Sequence, residues 1–253
     1  MNFIKNILGR LFALWAIIVF SGTLLIILIP VWIISSRPEP KKTISLFKIF
    51  IVWMKTFFVL TGVRRIFKGR ENFKKGQNYI VICNHRSFMD VPLSSPGIPG
   101  ANKTIAKAGM ARIPLFGLIY KSGSVLVDRK SEQSRKASYS KMKEVLAMGL
   151  HMCLYPEGTR NKTAEPLQRF HDGAFRLAID TQKPIIPAII LYTSIVLPRN
   201  KTFYFWPHKV EMHFLPPITV TDRTLEEIKD EAFETMKKYY TRVATSSDLQ
   251  NSY

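Results

Sequence analysis

The run Asn84-His85-Arg86-Ser87-Phe88-Met89-Asp90 places a histidine five positions before an aspartate, directly after the apolar segment 79–83. An imidazole takes a proton from a hydroxyl near neutral pH when a carboxylate fixes its tautomer and stabilises the imidazolium that forms. Asp90 is the carboxylate for His85. On a continuous helix a five-residue offset would turn the two side chains about 140° apart, so the pair meets only if the chain bends between a strand and a helix. Ser87 is the one hydroxyl nucleophile inside the run, which raises the question of a covalent intermediate. A single His and Asp at this spacing also arise by chance, so the neighbouring motifs carry weight.

Three further runs follow in order: Gly123-Ser124-Val125-Leu126-Val127-Asp128-Arg129, Tyr155-Pro156-Glu157-Gly158-Thr159-Arg160 and Pro184-Ile185-Ile186-Pro187. Residues 151–155 read as a short buried strand, and the loop after it lies where an α/β sheet presents its ligands. A guanidinium there can hold a phosphate with paired hydrogen bonds, or be a surface arginine on a turn. Val125 and Val127 alternate toward a charged end, so Asp128 and Arg129 reach a rim, where they can also pair with each other. The run from Pro184 is the shaped entry to a buried strand, a wall rather than a reactive site.

Across residues 69–218, at these four motifs in this order, the chain resembles the glycerophospholipid acyltransferase family, most closely bacterial 1-acylglycerol-3-phosphate acyltransferases. The resemblance implies that His85 and Asp90 are catalytic. It puts Glu157, Gly158, Thr159 and Arg160 in a glycerol-phosphate site, with Arg160 the direct phosphate contact, and Arg129 beside the acceptor's head group. It leaves Asn84, Lys107, Gly123 and Arg169 as additional substrate contacts. One departure stands out: many relatives have a lysine shortly before Gly-Ala-Phe, where this chain has Phe170-His171-Asp172-Gly173-Ala174-Phe175. His171 or Arg169 would have to restore positive charge there.

The implied reaction is direct transfer of a fatty acyl group from acyl-CoA or acyl carrier protein to the sn-2 hydroxyl of a lysophosphatidic acid, giving phosphatidic acid. His85 takes the hydroxyl's proton, Asp90 orients it, and backbone N–H groups stabilise the oxyanion. No cofactor and no metal is expected. Two alternatives stay open. One is another lysolipid acceptor, which Asp172 suggests; the other is a non-catalytic adaptor that binds anionic lipid.

The setting comes from composition. The chain has 253 residues with 37 basic and 18 acidic, a net charge of +19. Residues 61–130 hold 13 basic against 3 acidic, and residues 221–253 hold 5 against 7. Such a basic middle attracts phosphates, so nucleic acid has to be weighed against anionic lipid and coenzyme A. The first sixty residues argue against nucleic acid. Residues 11–34 carry no charge and would form a helix about 36 Å long, longer than a bilayer's hydrocarbon core of roughly 30 Å. Pro30 is expected to interrupt it, and basic residues on both flanks leave its orientation open. Residues 44–60 are apolar but for Lys48 and Lys55 on one helical face, a pattern suited to an interface. A membrane-embedded hairpin with both termini in the cytoplasm is preferred over a true span. The run is too long for a cleaved signal peptide. The expected location is the cytoplasmic face of the inner membrane.

The elements that must position the motifs are then an anchor, residues 1–62, a catalytic domain, residues 63–244, and a polar, disordered tail, residues 245–253. Strand-like runs at 79–83, 104–107, 124–127, 151–155, 186–192 and 210–214 alternate with helices, the clearest being 131–148, closed by Gly149, and 224–243. This predicts an α/β fold with a largely parallel sheet flanked by helices. Cys83 and Cys153 fall in buried strands as small hydrophobes, with no disulfide framework.

Overall fold

Successive side chains of a strand point to opposite faces, and the buried strand after Tyr79 divides accordingly. Val81 and Cys83 join one apolar cluster, Ile80 and Ile82 the other. Helices therefore cover the sheet on both faces. The computed structural model describes residues 2–245. In chain order these form α1 (Asn2–Ser35), α2 (Lys41–Leu60), β1 (Arg65–Lys68), β2 (Ile80–Cys83), α3 (Asp90–Gly97), β3 (Asn102–Lys107), α4 (Phe116–Gly123), β4 (Ser124–Val127), α5 (Glu132–Ala147), β5 (His151–Leu154), α6 (Gly173–Thr181), β6 (Ile185–Leu191), α7 (Thr193–Val196), β7 (Val210–Phe214) and α8 (Leu225–Thr245).

The seven strands lie in the order β1-β7-β6-β2-β5-β3-β4. The five from β6 to β4 are parallel, β7 runs antiparallel to β6, and β1 is parallel to β7. The expected largely parallel α/β sheet is present, and its six anticipated strands fall within two residues of their places. β1 had no sequence signal: two of its four residues are basic, it sits at the sheet edge, and no apolar run marks it. Ser131 caps α5 by accepting from Ser134 N at 3.1 Å, and Gly149 follows that helix at φ +78°. The expected tail lies outside the described residues except for Thr245, which ends α8.

α1 and α2 form an antiparallel hairpin, tied by Trp15 Nε1 donating to Leu60 O at 2.8 Å and Trp53 Nε1 to Thr23 Oγ1 at 2.9 Å. Pro30 removes the N–H that would reach the carbonyl of Ile26, yet α1 runs through it to Ser35, contrary to the expected interruption. Trp53, Met54, Phe57 and Phe58 of α2 are buried in the same cluster as Val81 and Cys83, so packing is continuous across residue 62. The opposite face of α1 is left bare, with Leu14, Ile18, Leu25, Ile29 and Trp32 exposed. Both helices are long and apolar enough to cross a membrane. Both ends of α1 nevertheless touch the sheet domain. Phe205 N donates to Gly9 O at 3.0 Å, where a Cβ on Gly9 would overlap the Tyr204 ring. At the far end Ser35 Oγ lies 3.3 Å from Ser122 Oγ, and Lys103 pairs with Glu39 in the hairpin turn at 2.8 Å. From Gly9 to Ser35 a helix rises about 39 Å.

Candidate active site

The bend that the His85–Asp90 pair requires begins where β2 ends. Asn84 leaves the strand and locks onto β6, its amide donating to Ile190 O at 2.9 Å and its carbonyl accepting from Ile190 N at 2.7 Å. The backbone of His85 is then held on both sides: its N–H donates to Glu157 Oε1 at 2.7 Å and its carbonyl accepts from Asn161 N at 2.6 Å. Residues 84–89 stay out of any helix, and Asp90 opens α3.

Asp90 is fully buried and collects four donors. Its Oδ2 accepts from His85 Nδ1 at 2.7 Å, Arg86 N at 2.7 Å and Ser87 N at 2.8 Å, and its Oδ1 from Thr193 Oγ1 at 2.5 Å. A carboxylate served by this many donors is fixed in place and stays an acceptor. The shared proton therefore sits on His85 Nδ1, which leaves the lone pair on Nε2. The His85 side chain keeps 17 % of its surface exposed against 1 % for Asp90, so solvent and ligands reach the imidazole and not the carboxylate. Tyr155 packs against the imidazole with ring centroids 4.3 Å apart and is itself held by Ser94, 2.8 Å from its hydroxyl. Burial drives the Tyr155 phenol well above its usual range, so it stays neutral beside the pair.

The loop after β5 meets this turn. Glu157 is buried, and both its oxygens are spent on backbone: Oε1 on His85 N and Oε2 on Gln168 N at 2.9 Å. Burial pushes its carboxyl above the usual carboxylate range, by more than those two N–H groups lower it. Gly158 has φ +69°, and a Cβ there would approach the His171 ring to 2.8 Å, so glycine is needed on both counts. Arg129, after β4, reaches across and donates to Gly158 O. It does not pair with Asp128, whose Oδ1 accepts from Lys130 N at 3.1 Å. Thr159 is exposed, and the Arg160 guanidinium carbon sits over the Phe88 ring, 3.6 Å from its centroid. Burial lowers the proton affinity of Arg160, the charge of Arg199 lowers it further, and Asp90 opposes both.

The structure thus gathers His85, Asp90, Gly158, Thr159, Arg160 and Arg129 at the C-terminal ends of parallel strands, where such sheets bind ligands. Lys107, exposed at the end of β3, lies on the same edge. Two expected contacts are corrected. Asn84 is buried with its amide spent on β6, so it shapes the loop and offers nothing to a ligand. Gly123 lies at the opposite end of β4, where a Cβ would sit 3.0 Å from the Phe50 ring, so its smallness serves α2 packing. Arg169 is exposed near Asp172. Asp172 pairs with Lys229 of α8 at 2.9 Å, which neutralises the charge at that departure.

Two residues of the site had not been singled out. Asn161 holds the His85 carbonyl with its backbone, while its side chain accepts from Thr163 N and donates to Glu165 O, each at 2.8 Å. An asparagine just after a charged turn is a recognisable signal for such a loop. Thr193 had none, since it reaches Asp90 across 103 residues of chain. Among the described residues no three His, Cys, Asp or Glu side chains converge as metal ligands would.

The Acyltransferase family model matches residues 64–191. The chain is 28% identical over 171 residues to the mouse 1-acyl-sn-glycerol-3-phosphate acyltransferase alpha, covering 67% of this chain and 60% of the mouse protein's length. It is 27% identical over 181 residues to the Haemophilus influenzae 1-acyl-sn-glycerol-3-phosphate acyltransferase, covering 70% of this chain and 73% of that one. The crystal structure of the 1-acyl-sn-glycerophosphate acyltransferase from Thermotoga maritima superposes with a TM-score of 0.76 over 96% of this chain and 98% of the other, at 24% identity, a likeness of fold.

Proposed function

The chain belongs to the acyltransferase family, and on that premise we propose that it moves a fatty acyl group from a thioester donor to the sn-2 hydroxyl of 1-acylglycerol-3-phosphate. The observation that carries this reading is the His85 Nδ1–Asp90 Oδ2 contact of 2.7 Å on the strand edge that also holds Arg160. The acceptor hydroxyl gives its proton to His85 Nε2 as its oxygen attacks the thioester carbonyl. The tetrahedral intermediate collapses, the C–S bond breaks, and the imidazolium returns the proton to the departing thiolate. Asp90 steadies the imidazolium through Nδ1, and Arg160 holds the acceptor's phosphate. The donor is acyl-CoA or acyl carrier protein; the exposed basic edge at Lys107 suits the phosphates of either.

The hairpin makes the chain a membrane protein in this reading. Because both ends of α1 touch the sheet domain, α1 lies along that domain with its bare apolar face in one leaflet. The catalytic edge faces the cytoplasm at the inner membrane. The deciding experiment is an acceptor panel with full-length protein in proteoliposomes, offered acyl-CoA and acyl carrier protein thioesters in separate reactions. Formation of phosphatidic acid from lysophosphatidic acid is expected. If no acceptor consumes thioester, the anionic-lipid adaptor takes its place; if only another lysolipid does, the acceptor is wrong.

A further inference from the structure

Arg199 follows α7 in a loop that is pinned at several points. Thr193 Oγ1 donates to Asp90 at 2.5 Å, Ser87 Oγ to Leu197 O at 2.9 Å, Trp206 N to Val196 O at 2.9 Å, and Phe205 N to Gly9 O at 3.0 Å. The segment therefore joins the His85–Asp90 turn to α1. Arg199 stands two residues beyond Leu197, is exposed, and among the described residues has no acid or carbonyl partner. It comes from the β6 side of β2, whereas Arg160 comes from the β5 side. Adjacent residues of the turn that carries His85 hold both loops, Ser87 through its bond to Leu197 O at 2.9 Å and Phe88 through the Arg160 guanidinium 3.6 Å from its ring centroid, and the charge of Arg199 in turn lowers the proton affinity of Arg160. Arg160 is held against Phe88 and makes no carboxylate pair among the described residues. Like charges on neighbouring loops repel; Asp90 offsets part of this at Arg160 but is buried with its oxygens already taken by four donors, so an entering anion can still draw both guanidiniums.

We propose that Arg199 is a second cation of the acceptor site, closing with Arg160 on a phosphate monoester and setting preference for it over acceptors whose phosphate is a diester. This rests on the proposed acyl transfer. A monoester offers two charges and three free oxygens to two forks, and a diester has one charge and fewer oxygens to share. In the acceptor only a few bonds separate the phosphate from the attacking hydroxyl, so a phosphate held across the His85 turn keeps that hydroxyl within reach of Nε2. A donor's phosphates are the competing source of the same chemistry, and kinetics distinguish them.

Full-length Arg199→Gln and Arg199→Lys are compared with wild type in proteoliposomes, with lysophosphatidic acid and lysophosphatidylcholine as acceptors and acyl-CoA as donor. For Arg199→Gln the acceptor KM for lysophosphatidic acid should rise about tenfold, with kcat and donor KM within about twofold and any lysophosphatidylcholine activity unchanged. Arg199→Lys should recover part of the loss. An unchanged acceptor KM overturns the proposal. So does a rise confined to the donor KM, which would assign Arg199 to the donor's phosphates, or a fall in kcat alone, which would make it structural. Equilibrium binding of lysophosphatidic acid is measured in parallel. If wild type transfers to no acceptor, the proposed function fails, while a tenfold weaker binding in Arg199→Gln still supports the phosphate site and equal binding rejects it.

Discussion

Glu157 grips His85 by the backbone and leaves the ring alone: its Oε1 accepts from His85 N at 2.7 Å while its Oε2 accepts from Gln168 N at 2.9 Å. The imidazole is oriented from elsewhere, by Asp90 and the Tyr155 ring. In the proposed reaction Glu157 would act by positioning His85, whereas the resemblance implies a place in the glycerol-phosphate site.

Glu157→Gln should test that division. One amide oxygen can serve only one of the two N–H groups, and the amide's own donors face the other, leaving a buried donor unsatisfied. A stability loss of about 1–3 kcal/mol is expected from denaturant unfolding. In the folded variant kcat should fall more than acceptor KM rises. A KM effect with normal kcat would put Glu157 on the substrate.

His85→Ala should remove acyl transfer, and Asp90→Asn should come close to it. The amide cannot stabilise an imidazolium, and an Nδ2 placed toward Arg86 N or Ser87 N would oppose a donor with a donor. Losses on the order of 10²–10⁴ in kcat are expected. Vesicle flotation should show unchanged membrane attachment, since the hairpin is untouched. Near-normal turnover in either variant rejects the base assignment.

Arg160→Ala should weaken use of a phosphate-bearing acceptor by about 1.5–3 kcal/mol, read as acceptor KM at saturating donor. If the acceptor dependence is unchanged, Arg129 is the next cation to test.

Ser87→Ala should keep substantial turnover. The hydroxyl is almost fully buried, donates to Leu197 O at 2.9 Å and accepts from Met89 N at 3.1 Å, so it ties down the Arg199 loop. A cost of about 1 kcal/mol in stability is expected. A labelled acyl adduct on Ser87 after incubation with radiolabelled donor, joined to an inactive alanine variant, would replace direct transfer with a ping-pong route.

His151 gives the fold a pH dependence. Burial pushes it down to about 4, against a hydrogen bond to the Pro99 backbone, while its Nδ1 accepts from Tyr79 N at 3.0 Å. Neutral His151 is what the folded state holds, so its contribution is complete above the unfolded value of about 6.5 and is lost as pH falls toward about 4. The loss over that window is about 3 kcal/mol. Buried His213, also shifted down by burial, adds a loss of the same sign. Denaturant unfolding at pH 7 and pH 5 should show about 2 kcal/mol of the His151 loss, and His151→Gln should shrink the drop. Equal drops in both proteins would reject the assignment.

Local patterning was enough to mark most of the fold. Apolar runs such as 79–83 and 186–192 are long enough, and bounded sharply enough, to mark buried parallel strands. Ser131 and Gly149 mark the ends of α5 through cap chemistry that acts over a few residues. The meeting of His85 with Asp90 and the place of the loop that carries Arg160 were likewise legible, because that turn and that loop are each contiguous in sequence. What the sequence by itself could not decide is everything set by contacts between distant segments. β1 exists because an edge next to β7 was open to it, and its own residues carry no strand signal. Thr193 meets Asp90 only after β6 has been laid beside β2. Asn84 and Gly123 stood in functional motifs, yet their surroundings give one to β6 and the other to α2. The hairpin's apolarity was plain, while its attachment to the domain at both ends of α1 depended on Phe205 and Ser122, far along the chain. Periodicity and caps are local energies written into neighbouring residues, whereas pairing, burial and charge proximity belong to surfaces that exist only once the chain has folded.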